Sequence, residues 1–202
     1  MIKKIKKIIL VLLILSALAT YLTISGGMAR FDAFIYALIY RDSHALFNFY
    51  YVLTYLGSEY SLTIIAILAL ALHKAKGGIS KTIAATIIIS AAINNLIKII
   101  VMRPRPDIHR LIKITGYSFP SGHSMNNMAF VTAALLLFTK YCKDKTIVFY
   151  AWVLGALYVF GIGASRVYLG VHYASDVLCG FLLGLLIAFT IYYIREKLQP
   201  KI

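Results

Sequence analysis

Acidic side chains are nearly missing from this chain: seven Asp and Glu stand against 21 Lys and Arg in 202 residues. A soluble domain of this length carries far more charge, so the shortage argues against a water-facing fold. It also leaves no carboxylate cluster able to hold magnesium, because Asp107 is the only acid in its stretch. Cysteine is equally sparse. Cys142 and Cys179 are the only two, and neither stands near a histidine at metal-ligand spacing. One lies beside an expected loop and the other within an apolar run, so no disulfide and no zinc motif are expected. Repeats and linkers are absent as well, and residues 1–202 are read as a single domain.

What is abundant is apolar surface. Hydrophobic residues make up 61% of the chain and fall in long runs, not in helical stripes. A bilayer crossing needs about 20 apolar residues, and the runs predict an all-α, polytopic membrane helix bundle. Six transmembrane helices are expected, near residues Ile8–Ile24, Tyr60–His73, Thr82–Met102, Gly122–Lys140, Thr146–Gly163 and His172–Ile194. The second is short and is expected to borrow from Leu53–Gly57. Ala17-Leu18-Ala19 resembles a leader-cleavage site, but the apolar run continues past it to Ile24. Between the first two spans, Phe31–Leu56 is interrupted by Arg41-Asp42-Ser43-His44. Two short helices in the outer interface are expected there, with Phe47, Phe49, Tyr50, Tyr51 and Tyr55 at headgroup level.

The net charge of +14 does not point to nucleic acid, since no soluble domain exists to carry a basic face. The cations sort by side instead. Lys3, Lys4, Lys6, Lys7, Lys74, Lys76, Lys81, Lys140, Lys143, Lys145, Arg195, Lys197 and Lys201 fall on one side of a six-span layout. By the positive-inside rule both termini are then cytoplasmic. Arg103, Arg105, Arg110, Lys113 and Arg166 fall on the opposite side, against that rule, which marks them as functional candidates.

Three blocks collect around those exceptions: Lys98 to Pro106, Pro120 to His123, and Ser165 to Asp176. Lys98 is an ionisable residue inside a span, a functional marker unless it snorkels. Pro104 and Pro106 break the helix, so Arg105 is expected on a stiff rim beyond Met102. Ser121 is placed to cap a new helix, and Gly122 lets backbone approach a ligand. The helix start beneath them suits phosphate. Asp176 follows His172 by four residues, one helical turn, and so shares its face. A carboxylate so placed holds one ring nitrogen protonated and leaves the other as a lone-pair nucleophile. Two spans separate the loop of Arg105–His123 from that of Arg166, so both lie on the same side of the membrane.

These blocks resemble the type-2 phosphatidate phosphatase superfamily, whose pattern is K-x6-R-P, P-S-G-H and S-R-x5-H-x3-D. Lys98, Arg105, Pro106, Pro120, Ser121, Gly122, His123, Ser165, Arg166, His172 and Asp176 fill every position. The resemblance implies an integral-membrane lipid phosphatase acting on phosphatidylglycerophosphate or undecaprenyl pyrophosphate. It implies that His172 attacks phosphorus, Asp176 orients it, and His123 protonates the leaving oxygen and later activates water. Lys98, Arg105 and Arg166, with Ser121 and the Gly122 N–H, would hold the phosphoryl oxygens. Three fixed cations would replace a metal, so no cofactor and no divalent cation are expected. Arg103 is read as a possible contact to a second phosphate, with Arg110 and Lys113 beside it. The expected partners are a lipid phosphate and the plasma membrane, with no obligate protein partner and the site at the outer face. The residues leave two rival readings open, a phosphotransferase using the same phosphohistidine and a non-enzymatic transporter.

Overall fold

The computed structural model describes residues 2–71, 78–107 and 109–198. They form α1 (Ile2–Ile24), α2 (Ala29–Ile39), α3 (His44–Leu56), α4 (Glu59–Ala71), α5 (Gly78–Val101), α6 (Gly122–Tyr141), α7 (Lys145–Tyr168) and α8 (Ala174–Leu198), with no strand among the described residues. His73, Lys74, Lys76 and Lys201, used above to draw span ends and charge bias, lie outside the described residues.

Among the described residues, five stretches are long and apolar enough to cross a membrane: α1, α3 with α4 (His44–Ala71), α5, α7 and α8. α6 has 20 residues, about 30 Å of helix, but it is less apolar. It packs against α5, α7 and α8, and its buried face carries Ser124, Asn126, Asn127 and Thr132. Polar groups are tolerated there because partners satisfy them: Ser90 Oγ donates to Asn126 Oδ1 at 2.6 Å, and Asn127 Nδ2 donates to the Gly57 carbonyl at 2.8 Å. Asn94 likewise donates to the Pro120 carbonyl at 3.2 Å, whereas Asn95 is exposed and makes no such bond. Both cysteines are free thiols, Cys179 buried and Cys142 partly so.

The segment between the first two spans departs from the expectation. It does hold two helices, and the break at residues 40–43 keeps the charged Arg41 and Asp42 out of either one. Only α2 stays separate. α3 lies along the last turns of α7, with Tyr50 on Tyr168, Thr54 on Arg166, and Tyr158 Oη donating to the Leu56 carbonyl. It continues into α4 across Gly57-Ser58, so the second apolar stretch is one broken helix far longer than Tyr60–His73.

The two ends of the bundle differ in chemistry. Lys140 bridges Glu196 at 2.7 Å and Lys6 sits 5.8 Å above the Tyr193 ring, which gathers the start of α1 with the ends of α6 and α8. The opposite end gathers the start of α6 and α8 with the ends of α1, α5 and α7, and all three sequence blocks lie there.

Candidate active site

The end of α7 fixes two of the expected residues to each other. Gly170 takes a positive φ of 67°, which a Cβ-bearing residue resists. The Gly170 N–H then bonds the Val167 carbonyl at 3.0 Å and the Val171 N–H bonds the Arg166 carbonyl at 3.2 Å. This is the paired closure of a Schellman cap. It turns the chain back, so that the His172 N–H also reaches the Arg166 carbonyl at 3.3 Å. Arg166 and His172, six residues apart in sequence, are thereby held side by side, both buried.

His172 sits just before α8, not within it, and Asp176 lies in the first turn of that helix. The pairing is therefore made by a helix start instead of by two residues on one helical face. Asp176 Oδ2 accepts from the Tyr173 N–H at 3.0 Å, as the third helical residue does in a capping box. The same oxygen lies 3.5 Å from His172 Nδ1, and Nδ1 makes no hydrogen bond. Such contacts often tighten only when substrate is bound. On the other side of the ring, Arg105 Nη1 lies 3.1 Å from Nε2. A proton on Nδ1 and a lone pair on Nε2 satisfy both neighbours.

The cations converge on this ring. Arg105 is braced by the carbonyls of Gly116 at 2.9 Å and Val171 at 2.8 Å, and Lys98 Nζ donates to the Tyr117 carbonyl at 2.7 Å. Burial first, then the charges of Arg166, Arg105 and Lys98, hold the His172 imidazole well below its ordinary pKa, so it is neutral at neutral pH. Arg166 donates to Thr54 Oγ1 at 2.6 Å, its Nε makes no hydrogen bond, and no carboxylate among the described residues bridges it. A guanidinium buried without an anion is unfavourable unless a ligand supplies one.

The helix start after Pro120 completes the ring of groups. Ser121 Oγ accepts from the Ser124 N–H at 3.4 Å, the expected cap, while Gly122 and His123 open α6, where backbone N–H groups have no partner within the helix. His123 lies within electrostatic range of Arg166, His172, Lys98 and Arg105. Gly122 is needed for a reason the sequence did not reveal: a Cβ there would stand 2.9 Å from Asn94 Oδ1. Among the described residues no three His, Cys, Asp or Glu gather as metal ligands.

Residues 80–200 match the sequence profile of the PAP2 superfamily. The chain belongs to that superfamily. It is 37% identical over 111 residues to phosphatidylglycerophosphatase B of Bacillus subtilis, a match spanning 53% of each protein. It is 30% identical to an undecaprenyl-diphosphatase of Sulfolobus acidocaldarius, covering 89% of this chain and 87% of the relative. The crystal structure of a transmembrane PAP2-type phosphatidylglycerolphosphate phosphatase from Bacillus subtilis superposes with a TM-score of 0.78 at 25% identity, covering 98% of both chains. These relatives are named phosphatases, which supports a phosphoric monoester hydrolase in a multi-pass membrane protein.

In this PAP2 protein the structure gives Arg103 partners other than those expected. Its Nη1 donates to Asp176 Oδ1 at 2.6 Å and to Ser175 Oγ at 2.8 Å, and its Nη2 donates to Asp32 Oδ2 at 3.0 Å. Two carboxylates and a serine hydroxyl thus engage the Arg103 guanidinium, the residue expected at a second phosphate. Arg110 is occupied by the Pro106 carbonyl at 2.8 Å, and Lys113 is exposed. Three residues near the site were not anticipated: Thr54, Asp32 and Glu59. Glu59 opens α4, with Oε1 3.6 Å from where a Cβ of residue 122 would stand. The available signal for both acids was scarcity, since an acid inside an apolar run marks a site. A cavity of about 460 Å³ reaches His172 from the α1–α2 side, with Asp32, Tyr36 and Arg103 in its wall.

Proposed function

We propose that this chain is a six-span lipid phosphatase that removes the terminal phosphate of a lipid mono- or diphosphate without a divalent cation. The observation that carries this reading is the buried, unbridged Arg166 guanidinium locked beside a neutral His172. In the first step His172 Nε2 bonds phosphorus as the bond from phosphorus to the lipid oxygen breaks, and His123 gives that oxygen a proton. Arg105 releases Nε2 and turns to the phosphoryl oxygens with Lys98, Arg166, Ser121 and the Gly122 N–H. In the second step His123 takes a proton from water, water bonds phosphorus, and the P–N bond breaks to free phosphate and His172. Asp176 holds Nδ1 protonated throughout. Phosphoryl transfer of this kind is mostly positioning and charge stabilisation, which three fixed cations supply.

α6 is the sixth span in this reading, which places both termini on the lysine-rich cytoplasmic side and the site at the outer face. Phosphatidylglycerophosphate and undecaprenyl pyrophosphate are the proposed substrates, following the relatives' names. The deciding assay is phosphate release from each lipid by detergent-purified protein in excess EDTA. Release that persists in EDTA supports the reading, and loss of release that magnesium restores sinks it.

A pH prediction follows from the cations. Because Lys98 helps to hold the His172 pKa down, removing its charge raises that pKa. The acid limb of kcat/KM for Lys98→Met should therefore lie at higher pH than for the parent on the same lipid. An unshifted or lower limb would separate Lys98 from His172.

A further inference from the structure

The start of α8 lacks the side chain that ordinarily caps a helix. Tyr173 stands at the capping position, its carbonyl accepting from the Val177 N–H at 3.3 Å, and tyrosine cannot fold back onto the first turn. One half of the cap is present in Asp176, which bonds the Tyr173 N–H. The other half comes from α2. Asp32 Oδ1 accepts from the Ser175 N–H at 2.7 Å, and Oδ2 accepts from Ser175 Oγ at 2.8 Å. Asp32 is buried, as expected only for a carboxylate whose oxygens are all engaged. Its remaining partner is Arg103 Nη2, and Arg103 in turn holds the Asp176 oxygen that faces away from His172. The Arg103 guanidinium also stacks 4.0 Å from the Tyr173 ring centroid, which fixes its plane.

We propose that Asp32 and Arg103 are a positioning pair: Asp32 completes the α8 cap and fixes Arg103, and Arg103 fixes the Asp176 carboxylate that orients His172. α2 is thereby a working part of the site. With Oδ1 held by Arg103 Nη1 and Oδ2 by the Tyr173 N–H, the Asp176 carboxylate is pinned at both oxygens, and Oδ2 stays on the Nδ1 side. Lysine in place of Arg103 keeps the charge but reaches only one carboxylate. The proposal rests on the His172–Asp176 reading above, and its test is built to fail separately.

Asp32→Asn and Arg103→Lys are to be assayed on phosphatidylglycerophosphate in detergent, alone and combined with Asp176→Asn. Each single change is expected to lower kcat by up to about 100-fold, the scale of a small misplacement at a reacting centre, with KM within about twofold. Because both act through Asp176, the further loss in the Asp176→Asn background is expected to shrink to a few-fold. An unchanged kcat, or a loss of equal size in both backgrounds, overturns the pair. Should Asp32→Asn not fold, Arg103→Lys carries the same reading. Histidine ¹⁵N NMR of the same variants needs no turnover. The parent is expected to hold His172 as a single Nδ1–H tautomer and the variants to mix tautomers. A parent that releases no phosphate removes the functional reading, while the tautomer spectrum still decides the positioning pair.

Discussion

His172→Ala is expected to abolish phosphate release, with kcat falling on the order of 10⁴- to 10⁶-fold, as for loss of a nucleophile in a covalent mechanism. The fold should survive. Asp176 keeps Arg103 and the Tyr173 N–H as partners, so no carboxylate is stranded. The sharper comparison is with His123→Ala. An acid that only protonates the leaving oxygen matters less as that oxygen becomes a better leaving group. On an aryl phosphate with an acidic phenol the His123→Ala loss in kcat/KM, which reports transfer to His172 and not the later hydrolysis that His123 also assists, should shrink by at least about tenfold relative to the lipid, while the His172→Ala loss should not. Losses that scale identically for both variants would contradict the division of roles. An acid-labile, base-stable phosphoryl label on the protein, absent in His172→Ala, would identify the intermediate directly.

Arg166→Met should separate activity from stability. Removing one aimed donor from a transition-state site typically lowers kcat by about 10²- to 10³-fold. Arg166 also brings the charge, so the upper end is expected. Arg166 is 2% exposed and bridged by no carboxylate among the described residues, so the free protein gains little from its charge. Replacing a buried charge by an apolar side chain of similar volume is often neutral or stabilising. The melting temperature in detergent should therefore hold or rise as activity falls. A marked drop in melting temperature would make Arg166 a structural residue held by Thr54. Phosphate itself should raise the melting temperature of the parent more than that of Arg166→Met, since a ligand stabilises only the state that binds it.

Much of this molecule was legible from local spacing. Apolar runs located α1, α5, α7 and α8, and Ser121 read correctly as the cap of α6. The helix end near Met102 followed from the prolines beyond it, and Met102 indeed leaves the helix with a φ of 49°. The three motif blocks meet at one end of the bundle, as the two spans between them require. Three readings needed contacts between distant segments. The span after residue 56 was drawn short because nothing local reveals that α3 leans on α7. Nothing local says which of Asn94 and Asn95 faces inward, and the packing buries only Asn94. His172 and Asp176 were placed on one helical face, whereas the helix begins between them.

Arg103 is the clearest case of the divide. By sequence it is one more cation in a basic, proline-containing block, two residues before the Arg105 that fills the family pattern. The fold brings Asp32 to it from 71 residues away, and that carboxylate joins Asp176 in occupying the guanidinium. The sequence by itself determined the class and the apolar helices, because helix period, capping and charge bias act over a few residues. Only the tertiary structure decided that carboxylates hold Arg103 and that none among the described residues bridges Arg166, because hydrogen bonds a few ångströms long pair whichever side chains packing brings together.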